Sequence, residues 1–251
     1  MHTLKLGLLL AACLLFAAPA SAVHLGGSEV VIPVIGRFPG TGGTQWRTDV
    51  FLANPSTATQ TVTLQFYPAG GAMQQRTMTI GPFSTMTFPD VVLNTFGMAN
   101  AGGMLEVSVA EGFTIHARAS IYNTGNPAGV FGQAVPGLAR HLLSRQAYLY
   151  GLSGISGSRV NIGAANPNDV PVTVTIHVAD AANVPLHTRN VTIAPHAYVQ
   201  FSDIFGAFGI PPQAGVTVNL YTNELPIYGY SSEVRNDTGD AVFTFGTSPN
   251  A

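Results

Sequence analysis

The chain has 251 residues, of which 46% are hydrophobic and only 9% charged, against about 25% charged in an ordinary soluble domain. That apolar share supports a packed core and excludes a disordered chain. Outside residues 1–22, nine Arg face twelve acidic residues, a formal charge of −3, and there is no basic stripe, polybasic tail or acidic run, which excludes an electrostatic nucleic-acid surface.

The first element reads as a signal peptide. His2 and Lys5 form a short polar start, Leu6 to Ala18 an apolar stretch, and Ala20-Ser21-Ala22 a small-residue cleavage site. The stretch is short for a membrane span, and no later segment reaches about 18 consecutive apolar residues. The expectation is therefore an exported chain (secreted, periplasmic or at the cell surface) with no transmembrane segment in its mature part. Leu10-Ala11-Ala12-Cys13 has the look of a lipoprotein box, which would make Cys13 a lipid anchor. Apolar sequence continues past Cys13 to the ordinary cleavage site, which favours cutting after Ala22. Cys13 is the only cysteine, so a chain cut there has neither disulfides nor cysteine-based zinc sites.

After the signal peptide the apolar pattern has period two. Val62, Leu64 and Phe66 alternate with Thr61, Thr63 and Gln65, as expected of strands that bury one face and wet the other. Turn signals at Asn54-Pro55, Ala69-Gly70-Gly71, Gly81-Pro82, Gly102-Gly103 and Thr124-Gly125-Asn126-Pro127 separate the runs. The predicted strands are 29–36, 47–53, 60–67, 74–80, 84–88, 103–109, 113–122 and 129–134. The predicted helices are two short turns, from Asp90 to Phe96 and from Asp203 to Phe208, with each aspartate as N-cap.

The second half repeats the first. Arg47 to Pro55 matches Arg159 to Pro167 at an offset of 112 residues, and Thr61-Val62-Thr63-Leu64 falls on Thr173-Val174-Thr175-Ile176. Thr79-Ile80-Gly81-Pro82 falls on Thr192-Ile193-Ala194-Pro195, and Phe88 and Asp90 fall on Phe201 and Asp203. Toward the ends, Phe131-Gly132 resembles Phe245-Gly246. Collinear matches at one spacing point to an internal duplication. The expected organisation is a signal peptide (1–22) and two β-sandwich repeats (27–137 and 138–247), joined by a short turn near Pro136-Gly137-Leu138, so that the domains touch.

The order Arg-Thr-Asp-Val-Phe-Leu-Ala-Asn-Pro (47–55), Thr/Val strand, Gly-Pro turn, Phe-Gly, Gly-led strand and closing Phe-Gly resembles repeat domains of exported bacterial proteins. Those domains are similar to immunoglobulin-like or fibronectin-type modules, mostly of unassigned activity. The resemblance covers nearly the whole mature chain and implies an all-β fold of two tandem immunoglobulin-like sandwiches. The paired core cysteines of antibody domains are missing.

Chemistry-bearing motifs are sparse. Gly151 to Gly157 has the composition of a nucleophile elbow without its Gly-x-Ser-x-Gly spacing. No two histidines stand at metal-ligand spacing. His177 and His187 would meet only on neighbouring strands, and zinc asks for three or four ligands. Asn236 to Asp240 offers oxygens to calcium but reads better as a hairpin turn. The paired carboxylates Asp90 and Asp203, and Glu111 and Glu224, fall in different repeats and so make no acid–base pair.

Three aromatics are the candidate ligand-binding residues: Trp46, at a strand start beside a Gly-rich loop, and Tyr228 with Tyr230, which share one strand face and would bind if that face is exposed. The expected function is a non-enzymatic exported adhesion or scaffold module, without cofactor or metal, that meets a protein or glycan at the cell envelope. The alternatives are a carbohydrate-binding protein using exposed aromatics and a secreted hydrolase with an inter-domain site.

Overall fold

The computed structural model describes residues 25–40, 43–155 and 157–248. The expected signal peptide, with Cys13 and the expected cleavage site, lies outside the described residues, as does His24. What is described is an all-β sandwich, with strands close to those the alternation predicts.

The first half runs β1 (Glu29–Pro39), β2 (Gln45–Ala53), β3 (Gln60–Pro68), β4 (Gln74–Ile80), β5 (Thr85–Phe88), α1 (Val91–Asn94), β6 (Ala101–Ser108), β7 (His116–Asn123), β8 (Phe131–Pro136) and β9 (Leu138–Ala139). The second half runs β10 (Gln146–Leu152), β11 (Ser158–Asn166), β12 (Val172–Ala179), β13 (Pro185–Ile193), β14 (Ala197–Phe201), α2 (Ile204–Phe208), β15 (Val216–Tyr221), β16 (Tyr228–Arg235) and β17 (Ala241–Phe245). All named pairings are antiparallel.

In the first half, β4-β3-β6-β1 faces β5-β2-β7-β8, the two sheets meeting where Phe38 and Pro39 pair with Trp46 and Gln45. The second half sets β13-β12-β15-β10 against β14-β11-β16-β17. The strand order is the same, strand for strand. Inward positions alternate as read from sequence: Val62, Leu64 and Phe66 are fully buried in β3, as are Val172 and Val174 in β12. Each such side chain contributes about 1.5–3 kcal/mol relative to exposure.

Several local devices occur in both halves. β1 shifts register between Ile32 and Ile35, and β10 between Leu149 and Leu152. Phe83 and His196 both have positive φ (47° and 49°), as do Asp90 and Asp203 (41° and 53°). The Asn54 amide donates to the carbonyls of Ala58, Ile80 and Gly81, and the Asn166 amide to those of Val170, Ile193 and Ala194. Each asparagine is buried and ties a strand end to two loops.

The aspartates before the two short helices do not cap them. Both adopt the left-handed conformation, and neither side chain bonds the first helical turn, because that backbone carries the carboxylate away from the turn's free N–H groups. Their own N–H groups donate instead to Asp49 and Asn161, at 2.8 and 3.1 Å. The Asp90 carboxylate is held by Arg37 at 2.9 Å and Arg47 at 3.7 Å.

Two further expectations change. Leu138 and Ala139 pair with β1, so the chain crosses over after them, through a 3-10 turn at Arg140–Leu142, rather than at Pro136-Gly137. In register, the counterpart of Phe245-Gly246 is Pro136-Gly137 rather than Phe131-Gly132: Gly137 donates to Ala117 and Gly246 to Gly229, and those acceptors stand 112 residues apart.

Candidate functional site

Tyr228 and Tyr230 lie on one face of β16, as the two-residue spacing dictates, but that face is not open. Both are 1% exposed and belong to the hydrophobic cluster of the first half. The Tyr228 hydroxyl donates to the Pro136 carbonyl at 2.7 Å, and the Tyr230 hydroxyl to Gln200 Oε1 at 3.0 Å. Burial pushes both phenols far above their ordinary pKa. The expectation that these rings form a ligand platform is corrected: they are the contact between the halves. The outer face of β14-β11-β16-β17 presents Ala165, Tyr198, Tyr228 and Tyr230 to the first half, and Ser232 donates to Gln133 at 2.8 Å.

Gly163 is what lets Tyr230 lie down on this sheet. It stands opposite Tyr230 in the β11–β16 ladder, and a Cβ there would collide with the ring. Phe243 stacks on the ring at 5.2 Å.

The contact ends in a polar cluster. His196 stacks on Tyr67 at 4.4 Å, and its two ring nitrogens meet Glu106 at 3.2 Å and Asp169 at 2.8 Å. Burial raises the Glu106 carboxyl above its usual range, although the His196 charge pulls the other way. Burial, then the Glu106 and Asp169 charges, push the Tyr67 phenol up to about 12. An acid, an imidazole and a phenol thus come together, as a hydrolase would require. Both imidazole nitrogens are engaged by carboxylates, Glu106 across the contact and Asp169 within the second half, which leaves neither for a substrate.

The same sheet face in the first half is open. On the outside of β5-β2-β7-β8 lies a groove of about 530 Å³, lined by Phe51, Met86, Thr87, His116, Arg118 and Pro136 among others. Phe51 opposes Arg118 in the β2–β7 ladder, and the guanidinium sits over its ring at 4.0 Å. Such a cation–π pair contributes about 0.5–1 kcal/mol at an exposed site. Position by position, Phe51 and Arg118 stand where Gly163 and Tyr230 stand, and Ala53 and His116 where Ala165 and Tyr228 stand. In the first half the aromatic lies on β2, and in the second on β16, the counterpart of β7. Reading the chain for aromatics misses this groove; the signal was the replacement of a tyrosine by Arg118 at a matched position.

Trp46, the second residue of β2, stands opposite Asn123, is half-buried, and packs on the first core with its indole over Gly40. His177 and His187 do not converge. His177 bonds Thr188 on the outer face, whereas His187 stacks on Phe208 at 4.4 Å. Among the described residues no group of three His, Cys, Asp or Glu is placed to hold a metal, and no helix is long and apolar enough to cross a membrane. Asn236 to Asp240 forms a hairpin turn closed by Arg235 and Asp237 at 3.1 Å.

No protein-family model matches the chain, and no curated protein matches it significantly. Solved structures are similar only distantly. Thermotoga maritima 1070 shares 19% identity over 41% of this chain and 92% of its own, with a TM-score of 0.34. A protein from Parabacteroides distasonis shares 12% over 86% and 82%, with a TM-score of 0.23. A GH2 β-galacturonidase from Eisenbergiella tayi shares 11% over 92% of this chain and 36% of the enzyme, with a TM-score of 0.19.

Proposed function

We propose that the chain is an exported, non-enzymatic interaction module of two duplicated immunoglobulin-like domains, and that it binds through the outer face of β5-β2-β7-β8. The observation that carries this reading is the open apolar groove around Phe51 and Arg118. The matching face of the other half is a contact surface, so this kind of face already serves protein recognition within the molecule. Identical strand order and the paired Asn54 and Asn166 devices support the duplication. The hydrolase alternative loses its best residue, because both nitrogens of His196 are taken.

Ala53→Arg places a long charged side chain in the groove without touching the inner core. The expected result is loss of binding by the mature protein to isolated cell envelopes, with an unchanged thermal midpoint. Equal binding by the variant would refute this face as the binding surface. A glycan-array signal that requires Phe51 and Arg118 would favour the carbohydrate reading.

A further inference from the structure

The contact within the chain is made by two unlike surfaces. One is the outer sheet face of the second half, described above. The other is a flank of the first half, formed by β1, β8 and the start of β6. Gln133 and Pro136 of β8 bond Ser232 and Tyr228, Gly102 lies against the Tyr198 hydroxyl, and Val31 and Val34 of β1 are buried in the shared cluster.

Each half has both surfaces, so one of each is left over. The free face is the groove on the first half. The free flank is on the second half, along β10 and the Val242 side of β17, whose other side carries Phe243 and Phe245 against the first half. There, Tyr148 stands in the register position of Val31, and Val242 in that of Gln133. Val242 is 65% exposed, and so is Tyr150, whose ring stacks on Tyr148 at 6.2 Å. Where the first flank is covered, the second presents bare apolar and aromatic side chains, and bare apolar patches mark contact sites.

We infer that the partner of the open groove is a second copy of this chain, whose β10–β17 flank docks head to tail on the β5-β2-β7-β8 face. The inference rests on the reading of that face as the binding surface. The chemistry is complementary: an aromatic flank meets an apolar floor, and the outer side of the Arg118 guanidinium takes a tyrosine ring. The contact is heterologous, so repetition yields a ring where its rotation closes and an open chain where it does not.

The internal contact supplies the test. Gln133 and Ser232 touch across it, and their counterparts are Val242 and Ser120. Expressed from Val23 the chain has no cysteine, so Ser120→Cys and Val242→Cys each carry one thiol. Oxidising a mixture of the two should give a disulfide-linked dimer of unlike variants, and the double variant a ladder. Gln133→Cys with Ser232→Cys, closing within one chain, checks the geometry. Wild type should sediment with a mass that rises with concentration, and Arg118→Glu should weaken that association at least about tenfold, roughly 1.4 kcal/mol. A monomer at every concentration, without mixed cross-links, overturns self-docking. So does Ser120→Cys linking only to itself, which means face-to-face pairing. If Ala53→Arg still abolishes envelope binding in either case, only the partner's identity is wrong. If Ala53→Arg changes neither binding nor association, the face itself is wrong.

Discussion

Replacing Gly163 by alanine adds one methyl group where the two halves meet. Its Cβ would collide with Tyr230 Cζ and the hydroxyl oxygen. The ring has little room to retreat, because Phe243 stacks on it at 5.2 Å and Gln200 holds its hydroxyl at 3.0 Å. Overpacking of this kind costs about 1–3 kcal/mol. Against the roughly 0.5–1 kcal/mol that alanine gains over glycine within a strand, this leaves a net loss of about 0–2.5 kcal/mol. For a chain of this size each kcal/mol lowers Tm by about 2–4 °C. The decisive measurement is a double-mutant cycle by urea unfolding. Tyr230→Ala alone should cost about 3–5 kcal/mol, as other large aromatic truncations do. In that background Gly163→Ala should be neutral or slightly stabilising, because nothing remains to collide with. An equal loss in both backgrounds would show that the glycine is needed for its backbone and not for the ring above it.

Asn54→Ala and Asn166→Ala each remove an amide whose two N–H groups serve three carbonyls, one of the contacts buried. Each should destabilise by about 1–3 kcal/mol, and the two effects should add, since the sites share no partner; urea titration of the single and double variants checks this. The raised Glu106 carboxyl makes the folded chain bind more protons than the unfolded one above its ordinary value of 4.5. Its contribution to stability is therefore full below that value, falls as pH rises through the higher folded value, and is constant beyond it. Glu106→Gln should flatten that part of the Tm-versus-pH curve, and an unchanged slope would mean that Glu106 does not produce it.

Alternation and turn residues determine strands by themselves, because a strand's side chains point to opposite faces whatever the tertiary context. Eight of the nine strands of the first half, all but the short β9, were legible for that reason, and turn and repeat signals gave the short helices after Asp90 and Asp203 and the match between Asn54 and Asn166. The reach of a side chain was not. Asp90 and Asp203 have the residue type of an N-cap, but a left-handed backbone turns them elsewhere. Period two places Tyr228 and Tyr230 on one face, yet it cannot say what lies against that face, since burial between sheets depends on residues about a hundred positions away. Only the packed structure decides that one outer face is closed by the neighbouring half while its counterpart, floored by Phe51 and topped by Arg118, stays open. The physical reason is that an unlike pair of surfaces joined once within a chain always leaves one of each unmatched.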